Sequence, residues 1–113
     1  MGQIQKKDVL SIFSYSGNSE ELSEMLNFAN RFGIQVIGIA SSKESILLKA
    51  SDVKLLLPKV KEADITSVVP TSSTTITLVL GDTLCTAIQH KKNSQKKFLN
   101  VITKVVVWVK LYY

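Results

Sequence analysis

The sequence has little of what builds disulfide or metal sites, and it lacks the long apolar runs that cross membranes. A single cysteine, Cys85, excludes an internal disulfide framework and favours a reducing compartment, so we expect a cytoplasmic protein. Cys85 and His90 are the only soft metal ligands, and we predict neither a metal nor a cofactor. No segment approaches the roughly 20 apolar residues that span a membrane, and no secretory signal precedes the first strand.

Acidic residues are missing from the last part of the chain. Residues 91–113 contain six lysines and no Asp or Glu, whereas residues 1–90 contain eight basic and nine acidic residues. The net charge of +5 therefore comes from the tail. Because the basic run in this tail has no arginine and no interleaved aromatic residue, we expect no nucleic-acid partner and no membrane partner.

Before this tail, the sequence alternates short apolar runs with helical periodicities. The pattern is typical of an α/β fold, and a chain of 113 residues has room for one small domain at most. The pattern predicts strands over 9–14, 34–40 and 53–57 and helices over 19–32, 43–50 and 74–90. Strands separated by such helices form βαβ crossovers, so the prediction is a parallel sheet. The tail at residues 101–113 is strand-like by propensity.

Several local features accompany this pattern. The first strand is mostly apolar, and we expect it to be buried on both faces. Gly33 is the expected end of the first long helix, and Ser41 and Ser42 are expected to start the short one. Gly81, inside the last helix, predicts close packing, and Cys85 is expected in the core of its apolar stripe.

A serine-rich segment, Ser14-Tyr15-Ser16-Gly17-Asn18-Ser19, lies where a parallel strand ends and a helix begins. Ligands of open α/β sheets bind at this edge, and a helix start offers free N–H groups to an anion. Hydroxyl donors without Lys or Arg suit a phosphate monoester held by neutral hydrogen bonds. An ordinary helix start is the alternative interpretation, because Asn18 and Glu21 have the spacing of a capping box.

A second hydroxyl-rich segment follows Pro70 and contains Thr71, Ser72, Ser73, Thr74 and Thr75. One or two hydroxyl residues are ordinary at a helix start. Five exceed what a cap uses, so this segment is expected to be a second cluster of donors facing the same ligand.

Together, SYSGNSEEL and PTSSTTITLVLGDTL resemble the sugar isomerase (SIS) domain family, and within it the arabinose 5-phosphate isomerases. The resemblance covers residues 6–100 and implies a flavodoxin-like three-layer fold, here incomplete, with a partial SIS domain over 1–100. It implies binding of a sugar phosphate and the aldose–ketose isomerisation of ribulose 5-phosphate to arabinose 5-phosphate in lipopolysaccharide biosynthesis.

The resemblance also implies roles for residues of this sequence that match the positions of the family's site residues. Glu21 and Glu62 match two carboxylates that act in the isomerisation, which needs a base and an acid near C1 and C2 of the sugar. The resemblance implies phosphate binding by Ser14, Ser16, Gly17, Asn18 and Ser19. It implies that the substrate is lined by Thr71, Ser72, Ser73, Thr74 and Thr75. The expected partners are a small phosphosugar and either further copies of the chain or a complementing half-domain.

Two family motifs have no counterpart in this sequence. The Gly-Lys-Ser loop before the sheet and the His-Pro-Gly-Gly motif after residue 100 are both missing, and with them a catalytic Lys and His. Reading the tail codons in another frame permits part of the second motif, so we predict a frameshift near Asn100 and a non-native tail over 101–113. Enzyme activity is therefore left open against a non-catalytic phosphosugar-binding module and an inactive gene remnant.

Overall fold

The computed structural model describes residues 4–92 and 107–109 of the chain. Its elements are, in order, β1 Val9–Phe13, α1 Glu20–Phe32, β2 Gln35–Ala40, α2 Ile46–Ala50, β3 Val53–Leu56, α3 Ser72–Lys92 and β4 Val107–Val109. The chain divides into two compact units. The first unit contains the elements from β1 to β3 together with β4, and the second begins at Lys59 and contains α3.

The first unit is built on a parallel sheet with the strand order β3-β2-β1-β4. Val9 of β1 lies opposite Gln35 of β2, and Ile37 of β2 lies opposite Val53 of β3. The predicted parallel α/β architecture is therefore confirmed. The strand-like tail contributes the fourth strand, with Val107 opposite Ser11. The domain boundary at residue 100 and the frameshifted origin of the tail stay predictions.

The core of the first unit lies between one face of this sheet and the helices α1 and α2. It includes Leu10, Ile12, Val36 and Ala40 from the strands, Leu22, Leu26 and Ala29 from α1, and Leu47 and Leu48 from α2. Alternate residues of a strand point to opposite faces, so Leu10 and Ile12 are buried while Val9 is 39% exposed. The expectation that β1 is buried on both faces is wrong, because Val9 is exposed and Ser11 and Phe13 are only partly buried, whereas Leu10 and Ile12 lie in the core with residues of α1 and α2.

The ends of α1 follow the sequence closely. Gly33 adopts a left-handed φ of 63°, and its N–H bonds to the carbonyls of Ala29 and Asn30, which confirms the predicted C-terminal glycine. The helix begins at Glu20, after the N-cap Ser19. The predicted helix over 19–32 is therefore correct to within its cap.

The short helix α2 begins at Ile46, later than the predicted Lys43. Its N-cap is Ser45, a fully buried residue whose hydroxyl accepts the Leu48 N–H at 3.2 Å. The prediction that Ser41 and Ser42 start this helix is wrong, because the hydroxyl of Ser41 is donated instead to the Tyr15 carbonyl at 2.7 Å.

The long helix α3 extends beyond the predicted range of 74–90 at both ends. Of its apolar side chains, Leu78 is 67% exposed, Val79 is 58% exposed and Ile88 is 39% exposed, whereas Ile76, Leu80 and Leu84 are partly buried. Cys85 is exposed as well, and a Cβ at Gly81 would meet no described atom within 4 Å. The predictions of a core cysteine and of close packing at Gly81 are therefore wrong, since periodicity shows which side chains share a face but not what covers it. Among the helices of residues 4–92, none is long and apolar enough to cross a membrane.

Candidate functional site

The serine-rich loop at residues 14–19 joins the carboxyl end of β1 to the start of α1. At its beginning, the Ser14 N–H donates to the Ile39 carbonyl of β2 at 3.0 Å. At its end, Ser19 is the N-cap of α1, but its side chain makes no cap hydrogen bond. The loop therefore presents the start of α1, with its positive dipole end, at the sheet edge where α/β proteins bind anions.

Gly17 allows this loop to lie directly against the start of α2. Its φ is +69°, and a Cβ at this position would lie 2.6 Å from Cβ of Ser45 and 3.0 Å from Cβ of Ala40. The Gly17 carbonyl accepts the Leu47 N–H of α2 at 3.0 Å. Both the backbone angle and the close approach exclude a side chain here, so the predicted use of glycine in the loop has a structural reason.

The serine hydroxyls of the loop act as acceptors toward the backbone. Oγ of Ser14 accepts the Gly17 N–H at 3.1 Å, and Oγ of Ser16 accepts the Asn18 N–H at 3.4 Å. An N–H group can only donate, so neither bond uses the hydroxyl proton. Among the described residues, no hydrogen bond uses either of those hydroxyl protons.

Asn18 connects the loop to α2. Its Oδ1 accepts the Ile46 N–H at 3.0 Å, and its Nδ2 donates to the Ser16 carbonyl at 3.3 Å. The capping-box interpretation of Asn18 is therefore wrong: the N-cap is Ser19, and the amide of Asn18 serves the other helix. The predicted role of Asn18 in phosphate binding stays a prediction.

The charge around the loop is negative on the helix side. Glu20 and Glu21 are exposed in the first turn of α1, where carboxylates interact favourably with the helix dipole. Residues 14–30 contain no Lys or Arg. The groups that this loop itself offers to an anion are therefore neutral donors and the helix dipole. Glu21 lies in the turn that follows Ser19, and its predicted acid–base role stays a prediction.

The second hydroxyl segment lies in the second unit, where it is organised around Glu62. One oxygen of this carboxylate, Oε2, accepts the Thr71 N–H at 2.7 Å, the Thr71 hydroxyl at 2.9 Å and the Ser73 N–H at 3.3 Å. Hydrogen bonding by the Ser73 side chain and the Thr71 backbone lowers the pKa of Glu62 from the ordinary 4.5 to about 2. Glu62 is therefore an ionised carboxylate at the start of α3.

The threonine hydroxyls of this segment are donated within the protein. Thr74 donates to the Thr71 carbonyl at 2.7 Å, and Thr75 donates to the same carbonyl at 3.0 Å. Oγ1 of Thr71 also accepts the Ala63 N–H at 2.8 Å. The expectation that the segment is a second cluster of donors is corrected for these threonines, because carbonyl and carboxylate oxygens already receive their protons.

The low pKa of Glu62 predicts a specific dependence of stability on pH. The folded pKa lies below the ordinary value, so the stabilisation by Glu62 is complete above about pH 4.5 and is lost as the pH falls through about 2. We expect the Thr71 amide resonance to titrate with a midpoint near pH 2 in NMR spectra. The Glu62→Gln variant should lack this titration, and a wild-type midpoint near 4.5 would contradict the hydrogen bonds described here.

The structure groups the predicted site residues by unit. The loop residues Ser14 to Ser19 and Glu21 lie together in the first unit, and Glu62 lies with Thr71 and Ser73 in the second. Sequence reasoning missed Ser41 and Ser45, which support the loop from the β2–α2 side. The sequence feature that could have indicated them is the run of polar residues after the second strand, but such a run by itself predicts only a helix start.

The chain is similar in sequence to proteins of one family. Residues 1–87 match the SIS domain family. The chain is 45% identical over 96 residues to arabinose 5-phosphate isomerase KdsD of Francisella tularensis, covering 85% of this chain and 29% of that protein. KdsD of Pseudomonas aeruginosa is 43% identical over 88 residues, covering 78% of this chain and 27% of that protein.

A solved structure shares the fold. The structure of E. coli CFT073 c3406 in complex with arabinose 5-phosphate matches with a TM-score of 0.80 and 30% identity, over 86% of this chain and 52% of that chain. The chain thus spans less than a third of the length of the two curated relatives and about half of this solved structure.

Proposed function

The chain belongs to the SIS domain family, and from this premise we propose that it binds a phosphosugar through the loop at residues 14–19. The hydrogen bonding of this loop carries the proposal. Ser14 and Ser16 accept backbone N–H groups and keep their hydroxyl protons, and the Ser19 side chain makes no cap bond at the start of α1. Neutral donors at a helix start stabilise an anion such as a phosphate monoester.

The relatives support a pentose 5-phosphate as the ligand. Two of them are named arabinose 5-phosphate isomerase, and the solved neighbour is a complex with arabinose 5-phosphate. We therefore propose that the reaction is the isomerisation of ribulose 5-phosphate to arabinose 5-phosphate, in the cytoplasm and in lipopolysaccharide biosynthesis. The chain spans less than a third of these isomerases, so this activity is proposed separately from binding.

Glu21 is the proposed acid–base group. In the reaction a base removes a proton from C1 of the ketose, an enediol forms between C1 and C2, and the proton returns to C2. O2 gains a proton in the first step, and O1 loses one in the second. The Glu21 carboxylate is exposed in the first turn of α1, beside the loop that would hold the phosphate.

Phosphosugar binding without turnover is the second candidate function. It needs only the neutral donors of the loop at residues 14–19 and no acid–base group. Assembly with further copies or with a complementing half-domain stays a prediction for either function.

Calorimetric titration tests the binding proposal. We expect saturable binding of arabinose 5-phosphate and a loss of about 100-fold or more in affinity for unphosphorylated arabinose, since charge-assisted hydrogen bonds to the phosphate are lost. Equal affinity for the two sugars would contradict the proposal.

Turnover of ribulose 5-phosphate, followed by ¹³C NMR and abolished in Glu21→Gln without loss of binding, would support the isomerase. Binding without turnover in the wild-type chain would support the second candidate.

A further inference from the structure

Hydrogen bonds join the carboxyl ends of β1, β2 and β3 just beyond the last residues of these strands. The Ser14 N–H donates to the Ile39 carbonyl at 3.0 Å, and the Leu57 N–H donates to the Ala40 carbonyl at 2.8 Å. Tyr15 is the next residue, where the chain leaves β1 and enters the loop at residues 14–19. All of these residues belong to the first unit.

Tyr15 is bonded to the residues that follow both of the other strands. Its carbonyl accepts two hydrogen bonds from Ser41, which comes directly after β2: one from the N–H at 2.9 Å and one from the hydroxyl at 2.7 Å. Its phenol hydroxyl donates to the Pro58 carbonyl, beyond β3, at 3.3 Å. The strand order is β3-β2-β1, so Tyr15 connects the loop to the ends of two strands at once.

The Tyr15 carbonyl has a direct influence on Ser16. A peptide group is planar, so the bonds from Ser41 to this carbonyl also fix the direction of the Ser16 N–H. Ser16 is itself exposed, and its hydroxyl has only a long contact of 3.4 Å with the Asn18 N–H. The backbone of the loop is therefore held mainly from the β2 side at this point.

Building on the proposed phosphosugar function, we infer that Ser41 is a positioning residue, which holds the loop at residues 14–19 in its ligand-binding conformation through the Tyr15 carbonyl. The hydroxyl proton of Ser41 is used by that carbonyl, so Ser41 acts through Tyr15 and not as a donor to the ligand. Without this hydroxyl, the carbonyl keeps only the Ser41 N–H, and the loop populates other conformations. Affinity then falls with the fraction of chains in the competent conformation.

Calorimetric titration of arabinose 5-phosphate into Ser41 variants of the full chain tests this role. We expect Ser41→Ala to weaken binding by about fivefold, the equivalent of one neutral hydrogen bond. Ser41→Thr keeps a hydroxyl and should restore the affinity to within about twofold of wild type. Ser42→Ala is the matched control, because the adjacent Ser42 hydroxyl makes no hydrogen bond among the described residues, and its affinity should equal that of the wild-type chain.

NMR relaxation dispersion of the loop amides separates positioning from a direct contact with the ligand. In free Ser41→Ala we expect microsecond-to-millisecond exchange at the amides of Ser16, Gly17 and Asn18, and we expect none in Ser41→Thr. Saturation with arabinose 5-phosphate should remove the exchange, since the ligand selects the competent conformation.

Three results would overturn the inference while leaving the proposed function intact, provided that the wild-type chain binds the ligand. They are a normal affinity in Ser41→Ala, a loss of affinity that Ser41→Thr does not restore, and a loss of affinity without exchange at the loop amides. The last result would mean that the Ser41 hydroxyl contacts the ligand itself. A wild-type chain that does not bind arabinose 5-phosphate would overturn the proposed function and this inference with it.

Discussion

Replacing both Ser16 and Ser19 with alanine is expected to weaken arabinose 5-phosphate binding by more than about 100-fold, from the loss of about 1.5–3 kcal/mol for each hydrogen bond to a charged group. The unfolding temperature should change little. Ser19 makes no cap hydrogen bond in the free protein, and the Ser16 hydroxyl has a long contact of 3.4 Å with the Asn18 N–H in an exposed loop. Calorimetry and thermal unfolding of the same samples measure both quantities.

Ser23→Ala is the matched control, because it removes a serine hydroxyl from α1 outside the loop. We expect its ligand affinity to equal that of the wild-type chain. A double variant at Ser16 and Ser19 that binds arabinose 5-phosphate normally would show that these hydroxyls do not hold the phosphate. A large loss of thermal stability in the same variant would instead mean that they have a structural role in the free protein.

Gly17→Ala is expected to destabilise the chain by about 2–5 kcal/mol and to remove phosphosugar binding. The left-handed φ of +69° is unfavourable for alanine by about 1–2 kcal/mol. The new Cβ would also lie 2.6 Å from Cβ of the fully buried Ser45, and relieving such overlap in a packed site costs about 1–3 kcal/mol. Urea denaturation followed by circular dichroism measures the change.

Two other glycines separate the causes. Gly33 also has a positive φ, of +63°, but its nearest neighbour is Cε of Lys6 at 3.6 Å, so Gly33→Ala should show the backbone cost alone, about 1 kcal/mol. Gly81 lies in α3 in open space, and Gly81→Ala should stabilise that helix by about 0.5–1 kcal/mol. A Gly17→Ala variant no less stable than Gly33→Ala would contradict the close approach to Ser45.

The parallel α/β fold of the first unit was predictable because hydrophobic periodicity and turn residues agree along this part of the chain. Short apolar runs gave β1, β2 and β3 to within a residue or two, and Gly33 marked the end of α1. The burial of β1 was not predictable in the same way, since an apolar run does not show which of its faces other elements will cover. The exposure of apolar side chains on α3 was not predictable for the same reason.

Within the candidate site, the sequence indicated which residues carry hydroxyls but not the direction of their hydrogen bonds. Glu62 lies nine positions before Thr71 in an irregular segment, so its bonds to the start of α3 depend on a loop conformation that no periodicity encodes. The bond from Ile46 to Asn18 likewise joins residues far apart in the chain. Such contacts depend on tertiary structure. They determine which hydroxyl and amide groups act as donors and which act as acceptors.

The bonds from Ile46 and Leu47 to Asn18 and Gly17 have a consequence for engineering. They join the turn before α1 to the first turn of α2, so we expect local opening of one to expose the other. Mutant libraries that aim to alter ligand preference should therefore vary positions 45–47 together with 14–19. Substitutions confined to the turn leave unchanged the α2 residues that hold it in place.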